Sequence, residues 1–236
     1  MTKIVISQPM FFPWVGLFEQ ITLADTYVHY NTVQFPIGRS FMNRVQIKTS
    51  NGSQWLTIPI KHQGTQSIDQ VEIDYSQQWQ DKHLKTLRQN YSKSRFFIEM
   101  LDMVSSIYAK KFRYLSELNI YSIEYISSYF GIETKFITSS QYLFDSSSSE
   151  LLLNITESLN GDVYITGHGA KNYLDHSIFE KKGISVNYIN YEKISYPQLY
   201  GDFTPFVSVL DLIANLGKEG KAVMLSKTIN WKEFVK

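Results

Sequence analysis

The succession of short apolar runs and helical patterns at the start of the chain does most to limit its fold. KIVIS reads as a buried strand over residues 3–6. VGLFEQITLA sets Val15, Leu17, Phe18 and Ile21 at helical spacing and stops at Asp25, and TYVHYNTVQF is rich in β-formers again. A strand, a helix and a strand so closely joined make a βαβ unit, whose strands lie parallel with a right-handed crossover. The alternation returns in the final third. TKFITSS, DVYITG and ISVNYIN read as strands; SSSSELLLNITESLN, closed by Gly161, and NYLDHSIFEKKG read as helices. PFVSVLDLIANLG reads as a helix with Pro205 near its first turn and Gly217 after its last. The serines at 146–149 read as loop and N-cap, because apolar periodicity resumes at once.

Between these halves the pattern changes. NRVQIKT and WLTIPI flank SNGSQ, where Asn51-Gly52 signals a hairpin turn. From Ser76 to Gly131, QWQDKHLKTLRQNY, SRFFIEMLDMVSSIYAKK and FRYLSELNIYSIEYISSYF each carry apolar residues at helical spacing, with Gly131 as the C-cap of the last. The expectation is a parallel sheet split by a helical insert, divided as 1–75, 76–131 and 132–236 within one compact unit.

Composition narrows the function classes. In 236 residues, 23 Lys and Arg balance 22 Asp and Glu, so there is no electrostatic case for nucleic acid or an anionic membrane. The absence of cysteine removes disulfides, thiolate metal sites and a cysteine nucleophile. IVI before a polar break is too short for a signal peptide, and no stretch approaches the roughly 20 apolar residues of a membrane span, so a soluble, cytoplasmic protein is expected. The unusual number is aromatic: 16 Tyr, 15 Phe and 4 Trp, either a ring-rich core or rings with polar handles lining a pocket for a sugar or a base.

Several segments could carry chemistry. SQPMFFPWVG fills the first strand-to-helix turn, where α/β proteins meet ligands, with rings and prolines; it can pack against a flat ligand or plug the end of the sheet. In GHGAKNY, Gly167 and Gly169 flank His168 at a strand end, where glycines permit positive φ and a following helix would offer N–H groups to an anion; the alternative is a plain tight turn. Arg39, Arg44, Lys48, Lys61 and His62 lie in or beside the hairpin. Alternation puts Arg44, Gln46 and Lys48 on one face, to gather a phosphate or simply to be solvated. His83, Asn90 and Tyr91 share a helical stripe on which a histidine could be a general base or a structural residue, while His29, mid-strand, reads as a satisfied core histidine. Asp202 and Asp211 are the acidic candidates, and Ser208, Asp211 and Asn215 form a polar stripe on an apolar helix that needs partners, a ligand among the options. No histidine spacing suits zinc, and there is no GxSxG elbow, Walker lysine or early GxGxxG, so neither metal nor cofactor is expected.

Taken together, QPMFFPWVGLF, VQF followed by FMNRVQIK, WLTIPI, KHLKTLRQNY, YITGHG and YPQLYGDFTPFVSVLDLIANLG resemble the WbqC-like family of bacterial polysaccharide gene clusters, in order over nearly the whole chain. The resemblance implies a cytoplasmic role in making O-antigen or another surface glycan. More specifically, it implies transfer of an aminoacyl group, glycyl foremost, onto the amine of a nucleotide-linked 4-amino-4,6-dideoxy sugar. What the resemblance implies for partners is dTDP foremost among the nucleotides, with an aminoacyl carrier protein as one option for the donor. The motif positions supply candidate roles: His83 as base with Asp202 as the second catalytic candidate, Arg44 and Lys48 for phosphates, Trp14 for stacking, and Gln8, Gln34 and Gln198 for hydroxyls. Gly167, His168 and Gly169 are candidates for an oxyanion or diphosphate, and Asn43, Asn90, Tyr196, Asp211 and Asn215 complete the substrate set. Two departures stand out: Asn31-Thr32 where relatives often carry an acidic pair, and His168 where they tend to have proline.

A second resemblance concerns fold. SQPMFFPWVGLFEQITLADTYVHYNTVQF is similar to the opening of pantothenate-synthetase-type nucleotidylyltransferases, but Trp14, Gly16 and Leu17 stand where an HxGH motif would be needed. The similarity implies a Rossmann-like parallel sheet, here with a β-hairpin insertion and a helical middle segment, and argues against nucleotidyl transfer at that turn. A non-catalytic module that binds a sugar nucleotide or a carrier protein, and a degenerate nucleotidylyltransferase, remain the alternative functions.

Overall fold

The structure, a computed structural model, describes every residue except 37, 39, 143 and 236. Arg39, one of the hairpin cations, thus lies outside the described residues. β1 (Lys3–Ser7), α1 (Val15–Leu23) and β2 (Thr26–His29) form the expected βαβ unit, with Ile4 beside Thr26 and Ser7 beside His29 in a parallel pair. The chain then leaves the sheet for an antiparallel hairpin, β3 (Arg44–Thr49) and β4 (Gly52–Thr57), and a small ribbon of β5 (Ile60–Lys61) with β6 (Glu72–Ile73). Three helices follow, α2 (Trp79–Tyr91), α3 (Phe97–Tyr108) and α4 (Leu115–Tyr129), before β7 (Lys135–Thr138) rejoins the sheet beside β2. α5 (Ser148–Ser158) carries the chain across to β8 (Val163–Thr166) on the other side of β1. The remaining elements are α6 (His176–Lys181), β9 (Ser185–Asn190), α7 (Val209–Leu216), β10 (Lys227–Asn230) and α8 (Trp231–Phe234).

The sheet order is β10-β9-β8-β1-β2-β7, parallel throughout except for β10, which runs antiparallel to β9. The fold is therefore Rossmann-like α/β, wound outward from β1 in both directions, with the hairpin, ribbon and α2–α4 inserted between β2 and β7. Both faces of the sheet are covered, as a parallel sheet requires. Val5 joins a core with Phe12, Ile47, Tyr91, Ile123 and Leu212, from the hairpin, α2, α4 and α7. Ile4 and Ile6, alternating to the other face, pack with Leu153, Phe179 and Tyr188.

The differences from the sequence reading have local causes. TYVHYNTVQF stays in the sheet only to His29, because the Asn31 and Thr32 amides turn away to Ser139 Oγ at 3.1 and 3.3 Å. WLTIPI is broken at Pro59, with Ile60 pairing to Ile73 instead of extending the hairpin. α7 begins at Val209, not near Pro205: the Ser208 hydroxyl caps it by accepting from Leu210 N at 3.2 Å while donating to Phe12 O at 2.8 Å. The serine run makes no side-chain cap, since Ser147 precedes α5 without one. Gly161 serves close packing: a Cβ there would stand 2.6 Å from Ile4 and 2.8 Å from Thr156, and the left-handed residue is Asn160 at φ 52°.

Candidate functional site

A cavity of about 860 Å³ opens at the carboxyl ends of β1, β2 and β8, where the winding of the sheet reverses. Ligands of open α/β sheets bind at such switch points. Ser7 and Gln8 reach it from β1, Tyr30 from β2, Gly167, His168 and Gly169 from β8, Tyr191 and Lys193 from beyond β9, and Trp14 and Phe206 from the turns before α1 and α7.

The ring-rich turn divides its labour. Phe11 and Phe12 are fully buried and point into the helical insert, Phe11 lying 5.9 Å from His83 and Phe12 6.0 Å from Tyr108 between ring centroids. Trp14 instead walls the cavity, 4.7 Å from Tyr191 and 5.3 Å from Phe206. Its indole lies across the first turn of α1, so a Cβ on Gly16 would sit 2.3 Å from the ring. PWVG thus needs its glycine to seat its tryptophan. Behind Trp14, buried Gln20 donates its Nε2 to the Tyr191 hydroxyl at 2.5 Å, and burial pushes that phenol up to about 12.

His168 is exposed, and its Nε2 lies 2.7 Å from the Ile189 carbonyl. A carbonyl can only accept, so Nε2 carries the proton and the neutral ring keeps a free basic Nδ1. Tyr191 and Phe234 flank the imidazole at 5.1 and 4.8 Å. Positive φ is not what Gly167 provides: its φ is −84°, and a Cβ there would approach Gln20 Nε2 at 3.4 Å and the Tyr191 hydroxyl at 3.6 Å. Nor does the loop run into an open α-helix. It enters a five-residue 3₁₀ turn, His168–Asn172, and the first turn of α6 is already capped by the Asp175 carboxylate, which accepts from Ser177 N at 2.9 Å. Among the described residues that line the cavity there is no carboxylate; its basic side chains are His168 and Lys193.

A second set of predicted residues comes together away from this cavity, on the inner face of the hairpin. Asp211, fully buried on α7, accepts from the Tyr91 hydroxyl at 2.9 Å and the Tyr196 hydroxyl at 3.0 Å, and Asn215 Nδ2 donates to its backbone oxygen at 2.8 Å. Gln198 donates to the Tyr196 hydroxyl and Thr204 O, both at 3.1 Å, and accepts from Thr204 N at 2.8 Å and Lys48 Nζ at 3.1 Å. Lys48 Nζ also donates to the backbone oxygens of Gly201 and Asp202. Every donor of the ammonium and every polar position of the Gln198 amide is used within the protein. Burial raises the Asp211 carboxyl above its usual range, against the lowering effect of its tyrosine donors. The polar stripe on α7 therefore finds protein partners, and the chain from 196 to 204 is clasped onto β3.

The other predicted residues are placed separately. His83 is 5% exposed, with Nδ1 2.9 Å from the Tyr108 hydroxyl and Nε2 3.1 Å from Thr57 O; burial holds it down to about 4. Asn90 Nδ2 donates within its own helix to Thr86 O at 2.9 Å, and its backbone oxygen accepts from Tyr200. Asn43 Nδ2 donates to Ile58 O at 3.2 Å; the Arg44 guanidinium lies 4.5 Å over the Trp55 ring; Gln34 bridges to Ser67; the Asp202 side chain is exposed. None of these lines the cavity, which takes from the predicted set Gln8, Trp14, Gly167, His168 and Gly169. His29 is fully buried as expected, but only its Nε2 has a partner, Glu124 at 3.2 Å. Sequence reasoning passed over Ser7, Gln20, Tyr30, Tyr191, Lys193 and Phe206. Ser7, Tyr30 and Tyr191 could have been found by position alone, since each ends or directly follows a parallel strand at its carboxyl end.

Among the described residues no helix is long and apolar enough to cross a membrane, and no group of three His, Asp or Glu side chains is arranged to hold a metal ion. The profile of the WbqC-like protein family matches residues 8–223. An uncharacterized protein of Mycobacterium tuberculosis, Rv1507c, is 35% identical over 223 residues, covering 93% of this chain and 96% of that protein. No solved structure matches the chain significantly.

Proposed function

The chain belongs to the WbqC-like protein family, and on that premise we propose that its switch-point cavity binds a nucleotide-linked 4-amino-4,6-dideoxy sugar whose amine the protein acylates, with glycyl as the group transferred. The observation that carries this reading is the cavity itself: about 860 Å³, walled by aromatic rings, neutral polar groups and Lys193, with His168 presenting a free Nδ1. That volume lies toward the upper end of the range for small-molecule sites, roughly 300–1,000 Å³, and suits a nucleoside with a second ring attached. Trp14, Tyr191 and Phe206 offer faces to a planar base or the apolar side of a sugar, while Ser7, Gln8 and Tyr30 offer hydrogen bonds to hydroxyls.

The chemistry needs little machinery. The sugar amine attacks the acyl carbon of a thioester, the C–N bond forms, and the C–S bond breaks to release thiolate. His168 Nδ1 takes the amine proton, with Nε2 anchored on Ile189 O to hold the ring's tautomer and orientation. His83, buried with both nitrogens engaged and no access to the cavity, is assigned a structural role in this scheme.

The test starts with melting temperature in the presence of dTDP, UDP, GDP and CMP and their 4-amino-4,6-dideoxy sugar derivatives, since a ligand bound only to the native state raises it. An amino-sugar nucleotide should exceed its parent nucleotide, and mass spectrometry with a glycyl thioester should then show one glycyl group added. Binding without product points to a non-catalytic module. No shift with any of them rejects the reading.

A further inference from the structure

Resting on that reading, we infer that Lys193 is the residue that selects an anionic ligand, by pairing with the phosphates that link nucleoside to sugar. The argument starts from the lining. The described walls of this cavity hold no carboxylate, although a smaller pocket that Lys193 also lines contains buried Glu19, so only within the cavity itself does a positive group meet no competing carboxylate. Lys193 supplies such a group. Its ammonium makes no ion pair with any described residue; it rests 5.2 Å from the ring centroid of Phe206, itself 55% exposed. A cation held only over a solvated ring is weakly held. It can exchange that ring for a phosphate without breaking a salt bridge.

The backbone adds a second observation. Lys193 has φ +49°, a left-handed conformation that an unbranched non-glycine residue adopts at a cost and that glycine would adopt freely. Its exposed side chain gives the fold no buried contact in return. Local strain kept at a cavity rim marks a position held for what its side chain faces. Phe206 is the ring that Lys193 rests over, and Trp14, His168 and Gly169 line the same cavity. A ligand whose planar ring lies on Trp14 and whose sugar reaches His168 carries its diphosphate between the two, within reach of a mobile four-carbon stem.

Isothermal titration with dTDP, the dTDP-linked amino sugar and uncharged thymidine, on wild type, Lys193→Gln, Lys193→Arg and Lys193→Gly, tests the assignment. Lys193→Gln should weaken both diphosphate ligands by roughly ten- to a hundred-fold and leave thymidine unchanged, as expected for one lost charge-assisted contact. Lys193→Arg should stay within a few-fold of wild type. Lys193→Gly should lose affinity like the glutamine variant while melting no lower than wild type, which separates a binding role from a structural one. If wild type binds the diphosphates and Lys193→Gln binds them equally well, the assignment to Lys193 is wrong and the sugar-nucleotide reading stands. If wild type, repeated with UDP, GDP and CMP, binds none of them, both fall together.

Discussion

Replacing His83 with glutamine should remove much of the protein's sensitivity to mild acid. The imidazole is 5% exposed and locked between Thr57 O, which accepts from Nε2, and the Tyr108 hydroxyl on Nδ1. Burial favours the neutral ring and brings its pKa to about 4, although the Thr57 carbonyl pulls the other way. An unfolded histidine titrates near about 6.5. Below that pH the unfolded chain takes up a proton that the folded chain refuses, so stability is intact above pH 6.5 and drains away as the pH falls toward 4. At about 1.4 kcal/mol per decade the total is about 3 kcal/mol, of which about 2 kcal/mol is lost between roughly pH 7.5 and pH 5. Glutamine keeps a donor for Thr57 and an acceptor for Tyr108 but does not titrate. Urea unfolding at both pH values gives the readout: wild type should lose about 2 kcal/mol more than His83→Gln across the interval. Glu19 and Asp211, whose carboxyls burial raises, gain stability as the pH falls, but they do so in both proteins and cancel in the comparison. Equal pH dependence in the two proteins would show that His83 is not held neutral by burial, and the structural role assigned to it would fail.

Three further outcomes follow from the same geometry. Gly16→Ala drives a methyl group into the Trp14 indole and should cost about 1–3 kcal/mol in chemical denaturation; in a Trp14→Ala background the same change should cost much less, giving a clear coupling energy in a double-mutant cycle. Asp211→Asn exchanges a carboxylate oxygen for a donor opposite a tyrosine hydroxyl and should destabilise the fold by about 1–3 kcal/mol, read as a lower urea midpoint at unchanged slope. His168→Gln should slow glycyl transfer by roughly 10²- to 10⁴-fold while sugar-nucleotide affinity stays within a few-fold; a small rate effect would assign the proton transfer elsewhere.

The parts of the fold written in local periodicity were legible before the structure. KIVIS, the α1 pattern and TYVHY point to a parallel pair because a strand, helix and strand joined by such short turns usually return side by side in the same direction, and the three insert helices announce themselves by spacing. β10 was not legible, because it follows an irregular stretch and runs against its neighbour, outside the βαβ grammar. At the site, alternation placed Lys48 on a face with Arg44, yet nothing in a strand's own pattern says that residues 198–202 will fold over that lysine and occupy its ammonium. Likewise the stripe of Ser208, Asp211 and Asn215 declared a need for partners without naming them; they come from Tyr91, 120 residues away, and Tyr196, 15 away. Polar demand is local and visible, whereas its satisfaction is tertiary. Trp14 was found because the turn after the first strand is a known meeting point, and applying the same positional rule to β9 would have found Tyr191.

The strand at the middle of the sheet precedes all the other strands of that sheet along the chain, and so is made before them. β1 finds β2 at once, but its other partner is β8, paired from Lys3 to Val163, and the Thr2 amide closes onto the Asp162 carboxylate across 160 residues. Until β8 is made, one side of β1 is an open apolar edge with unpaired backbone groups. Contacts of such long sequence separation slow folding. The nascent chain therefore passes through a prolonged stage in which the helical insert can already pack while the central strand waits. The walls of the cavity, drawn from β1, β8 and the stretch from 191 to 206, meet only once residue 206 has been made. Truncated or prematurely released chains would carry that open edge without a binding site, and they are the species a cell's chaperones and proteases would be expected to meet.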